Sequence, residues 1–174
     1  MENLTQLPIS CVEVRMDSSN SEGFNKASLQ HDWGTMSIIL CDAGRMKVNV
    51  NDQEIVIEKG DMLFVNPFMF MHLIDISCDF HGHIMVAKSS VMFPIVKSIL
   101  DVNSQLYFRK HPLMHLDPNR YGEMESISKH LESRILYEKT SSLKGPKRMV
   151  AHEFTMLLFR ALVLKALDVC LENA

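Results

Sequence analysis

Four of the chain's eight histidines stand where their spacing could do chemistry. His81-Gly82-His83 sets two imidazoles on one face of a strand, and His31-Asp32-Trp33 sets an imidazole beside an indole, with Ser37 four residues on. His72 closes the run EKGDMLFVNPFMFMHL. An imidazole ligates a metal, exchanges hydrogen bonds with an organic ligand, or moves a proton. The indole adds a flat face for the apolar side of a sugar or aromatic ring, so histidine with tryptophan suits a polar organic ligand. Each residue also has a plain structural use. Ile84 and Val86 offer a core face as good as that of His81 and His83, and His72 also suits a turn or a cap. Cys11, Cys41, Cys78 and Cys170 form no C-x-x-C pair, which excludes a zinc knuckle or a thioredoxin-like motif. No serine or cysteine nucleophile has a recognisable local context.

The elements that must position these residues change period along the chain. From about Val12 to Val86 the apolar runs are short, β-branched or aromatic, and bounded by turn residues. RMKVNV alternates, NDQ turns, EIVIE alternates, EKGD turns, and MLFV runs into Asn66-Pro67. Strands so closely spaced predict an antiparallel sandwich or barrel. Inward side chains then come in sets two apart: His31, Trp33 and Ser37; His81, His83 and Met85; Phe70 and His72. After Ser89 the pattern is helical. VMFPIVKSILD predicts a short helix with Pro94 in its first turn. Asp117-Pro118 is a helix start, followed by Tyr121, Met124, Ile127, Leu131 and Ile135 at three- and four-residue steps. A second helix from Pro146 to about Glu172 would span ~40 Å and is apolar around nearly its whole circumference. Such a helix is buried on more than one side. Either it is a core helix of the monomer or it meets a second copy, and the latter predicts a homodimer contact at Leu131, Ile135, Leu157, Leu158, Leu162 and Leu164.

Bulk properties narrow the class. The chain has 174 residues, enough for one domain with its own core, and a net charge of −3. KGPKR is the longest basic cluster, so nucleic-acid binding by this segment is not expected. The N-terminus lacks the features of a signal peptide, and scattered thiols point to the cytoplasm. Charged residues interrupt Met149 to Leu171, against a membrane span.

Gly-Asp, strand, proline and histidine in that order resemble the second motif of the cupins. Gly60 opens it, Pro67 holds the proline place one residue late, Met69 replaces a glycine, and His72 lands on the histidine. In the first motif Gly44 suits the closing glycine, Ser37 stands where the metal-binding glutamate belongs, Trp33 where the second histidine belongs, and His31 at the first. With two of four ligands missing, the resemblance implies no metal and no other cofactor. A metal-free cupin barrel followed by two long helices is similar to the N-terminal regulatory domain of AraC-family transcription regulators. That resemblance implies a mainly β fold with C-terminal α: a cupin-like (double-stranded β-helix) barrel with an N-terminal arm at residues 1–115, and a helical dimerisation segment at 116–174. It further implies a non-enzymatic sensor of a small polar, sugar-like effector. His31, Trp33, Ser37, His72, His81 and His83 would be its contacts. DNA would be touched only through a separate C-terminal helix-turn-helix domain, absent from this chain. A small cupin enzyme, an isomerase or oxygenase, and a purely structural dimerisation module are the alternatives.

Overall fold

In the computed structural model the described residues are 7–16, 34–66 and 69–173. His31, Trp33 and Pro67 lie outside them.

Strands β3 (Arg45–Val50) and β4 (Gln53–Glu58) follow directly from alternation. Met46, Val48 and Val50 are buried, as are Ile55 and Ile57, while Glu54, Val56 and Glu58 face solvent. Asn51 and Asp52 join them, both with positive φ (48° and 65°), the backbone that a tight two-residue hairpin needs. Strand β6 (Met71–Ile76) pairs on the other side of β3, giving a three-stranded antiparallel sheet in the order β4-β3-β6.

The second sheet reads differently in sequence because both its faces are covered. Strands β1 (Ile9–Arg15), β2 (Thr35–Ala43), β5 (Asp61–Val65), β7 (His81–Lys88) and β8 (Leu113–His115) run in the order β1-β7-β2-β5-β8. In β2 every residue from Met36 to Asp42's neighbour Cys41 is buried. Continuous apolar strands of this kind mark a sheet with two covered faces. Ile39, Cys41, Leu63, Val65 and Ile84 join residues of the three-stranded sheet in one core cluster. Met36, Ile38, Leu40, Met62, Phe64 and Met85 point the opposite way, into a core shared with the helices.

Among the described residues four helices form that outer layer. Helix α1 (Ser89–Ile99) leaves β7 without a loop, and α2 (Val102–Lys110) follows with Asp101 capping it. Pro94 is therefore in the second turn of α1, one turn later than its sequence predicts, because the helix starts at Ser89. Helix α3 (Pro118–Thr140) starts as expected: the Asp117 carboxylate accepts from the backbone N–H groups of Asn119 and Arg120 at 2.9 and 3.0 Å. Helix α4 (Gly145–Glu172) returns antiparallel to it. Three cross-helix pairs set the register: Glu138 with His152, Glu123 with Lys165, and Arg120 with Glu172.

The expected mainly β, cupin-like barrel is not what forms. Among the described residues helix accounts for 48% and strand for 34%, and no sheet closes into a barrel. The architecture is mixed α/β: helices on a five-stranded sheet, with the three-stranded sheet on its other face. The barrel expectation assumed a single interior. Alternation reveals that a strand face is buried, but does not reveal whether a sheet or a helix covers it. The helices α1 and α2 also fall inside the stretch assigned to the barrel, and the outer core cluster spans both assigned segments, 1–115 and 116–174. No helix among the described residues is long and apolar enough to cross a membrane.

The layering predicts thiol reactivity. Cys11, Cys41 and Cys170 are buried, and burial pushes each thiol up to about 12, whereas Cys78 is exposed. Since the thiolate is the nucleophile, a chromogenic disulfide reagent is expected to titrate one thiol quickly in the native protein and all four in denaturant. Rapid reaction of two or more native thiols would refute the burial of these cysteines.

Candidate functional site

At one end of the five-stranded sheet, beneath α3, four strand residues place polar groups on the helix-facing side. Glu13 of β1 lies directly across from His83 of β7, and Arg15 from His81. A bulge in β2 between Cys41 and Ala43 leaves Asp42 outside the regular pairing with β7, and its carboxylate meets the edge of the same group. His81 and His83 share a face because Gly82 separates them. An added Cβ at Gly82 would stand 2.2 Å from the carbonyl oxygen of Leu40, so only glycine lets β2 and β7 approach there.

The distances are short. His81 Nε2 is 2.6 Å from Glu13 Oε1, and His81 Nδ1 is 2.7 Å from Asp42 Oδ2. Arg15 donates to the same Glu13 oxygen at 2.9 Å. Hydrogen bonding to His81, with Arg15 assisting, holds the Glu13 carboxyl down to about 2 against the opposing effect of burial. His83 is 1% exposed, and neither of its ring nitrogens has a hydrogen-bond partner. Glu125 Oε1 on α3 is 3.7 Å from its Nε2 and is itself bound by Lys129 at 2.9 Å. Burial pushes the His83 pKa down, against the pull of Glu13 and Glu125. Nearby, the Tyr121 hydroxyl is also buried without a partner. Among the described residues, Glu13, His81 and His83 have the chemistry and spacing to hold a metal ion.

The six residues expected to line one pocket are divided by the fold. Ser37 is buried on the inner face of β2, paired with Val65 and Val86. His72 is exposed, opposite Asn49, while its neighbours Met69 and Met71 pack between the sheets. His81 and His83 lie together, but on the helix side, and Ile84 and Val86 take the inner side. His31 and Trp33 lie outside the described residues. The site also contains Glu13, Asp42 and Glu125, which are not among the residues expected from sequence. The signal for Glu13 was its place in the alternating CVEVR strand; nothing local marked the other two.

The six expected dimer residues also divide. Leu131, Ile135 and Leu162 are buried in the protomer's own core, Leu158 is half-buried, and Leu157 and Leu164 are exposed. The apolar circumference of α4 splits in two. Phe159, Leu162, Val163, Ala166, Leu167 and Cys170 face inward, while Val150, Phe154, Leu157, Leu164 and Leu171 face solvent. Tyr137 of α3 borders that face beside Val150 and Phe154, and Leu136 is also exposed. Two clefts adjoin these layers. One of about 580 Å³ lies at the α3–α4 turn between Tyr137, Leu143, Val150 and Phe154, with Arg134 and Lys147 at its rim. The other, of about 430 Å³, lies between the β3–β4 turn and α2 and is lined by Asn51, Gln53, Arg109 and Lys110 with Val50 and Leu106. No local pattern announces it, because its two walls lie 53 or more positions apart in the chain.

No protein-family model matches the chain, and no curated protein matches it. Solved structures show weak, partial likeness of two kinds. The AraC-like transcriptional activator CuxR matches over 90% of this chain and 49% of its own, at 8% identity and a TM-score of 0.41. Apo ToxT from Vibrio cholerae, in a single-substitution form, matches over 90% of this chain and 55% of its own, at 10% identity and a TM-score of 0.47. A cupin 2 conserved barrel domain protein from Salinispora arenicola matches over 52% of this chain and 71% of its own, at 10% identity and a TM-score of 0.32. The chain thus spans about half the length of the first two proteins.

Proposed function

We propose that this chain is a regulatory dimerisation module that pairs with a second copy of itself through α4. The observation that carries the reading is the solvent-facing apolar seam. Val150, Phe154, Leu157, Ala161, Leu164, Asp168 and Leu171 follow one another at alternating steps of four and three residues. Val150 is 70% exposed and Leu157 62%. That is the repeat by which two helices interdigitate, and a face so apolar on a charged helical hairpin marks a contact surface. Asp168 interrupts the seam once. A two-fold antiparallel crossing near the small Ala161 keeps the two Asp168 carboxylates at opposite ends, whereas a parallel pairing would set like charges together.

Sedimentation equilibrium of the chain is expected to give a dimer. Leu157→Glu places a charge in the seam and is expected to weaken dimerisation by roughly 100-fold or more, with helix content by circular dichroism unchanged. A monomer at all accessible concentrations, or a Leu157→Glu protein that remains dimeric, would refute the reading.

Effector sensing is a second reading, favoured by the polar cleft at Asn51, Gln53, Arg109 and Lys110. Its volume is within the range of small-ligand sites, and two cationic side chains suit a small anionic or polar molecule. Binding there would act by favouring one packing of α2 and the hairpin over another. In this reading any DNA contact falls to a separate domain.

A further inference from the structure

We propose that Glu13, His81 and His83 form a binding site for one divalent transition-metal ion of the zinc type, on the helix-facing side of the five-stranded sheet. One ligand atom from each of the three residues lies within 4.8 Å of the others. Metal–nitrogen and metal–oxygen bonds of about 2.0–2.2 Å place neighbouring ligand atoms about 3.4 Å apart in a tetrahedral site. The group closes on an ion with side-chain shifts of about 1 Å or less.

Three independent features favour a cation. First, His83 is enclosed and neither ring nitrogen has a partner, although a buried polar group left unpaired costs about 1–3 kcal/mol. A metal ion takes one nitrogen directly. Second, His81 is held between two carboxylates, Glu13 on Nε2 and Asp42 on Nδ1. A neutral imidazole donates from only one nitrogen. Both contacts are met by an imidazolium or by an ion between Nε2 and Glu13, and the ion leaves Nδ1–H to donate to Asp42. This carboxylate–histidine–metal arrangement orients ligating histidines generally. Third, the carboxylates of Glu13, Asp42 and Glu125 face the two rings, while the cations paired with them among the described residues are Arg15 and Lys129. An added positive charge is favoured there. A water molecule would answer the first feature but neither of the others.

The ligand set selects the class of ion. Two imidazoles and a carboxylate suit zinc and its first-row neighbours, whereas magnesium and calcium take oxygen ligands. Three protein ligands leave a coordination position, and the Glu125 carboxylate is the group nearest to filling it. The site is separate from the apolar seam of α4 and does not depend on the dimer.

Zinc chloride is titrated into the metal-free chain in competition with a chromophoric chelator, and one ion per chain is expected to bind. Glu13→Gln and His81→Gln are each expected to weaken binding by roughly 100-fold, and Asp42→Asn by about 10- to 100-fold. His72→Gln is expected to leave binding unchanged. Thermal melts of the metal-free variants verify folding. Should a ligand variant not fold, the wild-type chain decides the matter: zinc is expected to shift the ring-proton resonances of His81 and His83 and not that of His72. No saturable zinc site, equal affinity in wild type and folded ligand variants, or equal saturation by calcium chloride would overturn the proposal. Cobalt substitution showing thiolate charge-transfer absorption would also overturn it, since the ligands would then be cysteines.

Discussion

Phe159→Ala is expected to lower stability by about 3–5 kcal/mol and the melting temperature by roughly 10 °C, measured at fixed protein concentration. Phe159 is 1% exposed at the middle of α4. It belongs to the cluster that joins all four helices to Met36, Ile38, Leu40 and Phe64 of the sheet. Removing the ring leaves a cavity that stiff neighbours cannot close, since β2 and β5 are clamped from their other face by the second core layer. The substitution is expected to shift one cooperative transition. A loss below about 1 kcal/mol, or a separate early melting of helix alone, would show that the hairpin is not part of the same core.

Gly82→Ala is expected to cost about 3 kcal/mol, the upper part of the range for overpacking. The new methyl would lie 2.2 Å from the Leu40 carbonyl oxygen and 3.0 Å from Phe80 Cζ. The ring can turn aside, but the carbonyl belongs to a central strand paired on both sides and cannot. Gly122→Ala is the matched control. Gly122 lies within α3 with nothing within 4 Å of an added Cβ, and a glycine-to-alanine change inside a helix stabilises by about 0.5–1 kcal/mol. Denaturant titration of the two variants is expected to move the midpoint in opposite directions. If Gly82→Ala were neutral, the close approach of β2 and β7 would be in error.

Both predictions concern places where sequence and structure meet unevenly. The alternation of RMKVNV and EIVIE, the Asn-Asp turn and the Asp117-Pro118 helix start were all legible, because each depends on residues within a few positions of one another. Helix α2 has no such local signature. Its sequence VNSQLYFRK buries only Phe108, too little apolar repetition to announce a helix. The covering of β2, β5 and β7 was equally hidden, as an apolar strand has the same composition whether a sheet or a helix lies on it.

The histidines show the same division. That His81 and His83 share one side of a strand follows from Gly82 alone, since strand side chains alternate. Which side that is depends on what each face meets. Ile84 and Val86 supply the apolar surface for the inner layer, and the imidazoles are turned toward Glu13, Asp42 and Glu125, residues 29 to 112 positions apart in the chain. His72, for all its place in a motif-like run, stands outside on β6.

The sequence by itself determined the β3–β4 hairpin, the two long helices and the excess of apolar surface on α4, because local periodicity governs which residues are hidden together. Only the tertiary structure decided that the sheets stay open, which half of α4 remains exposed, and which carboxylates surround the two histidines. Those outcomes depend on contacts between segments far apart in the chain, where no local pattern records the partner.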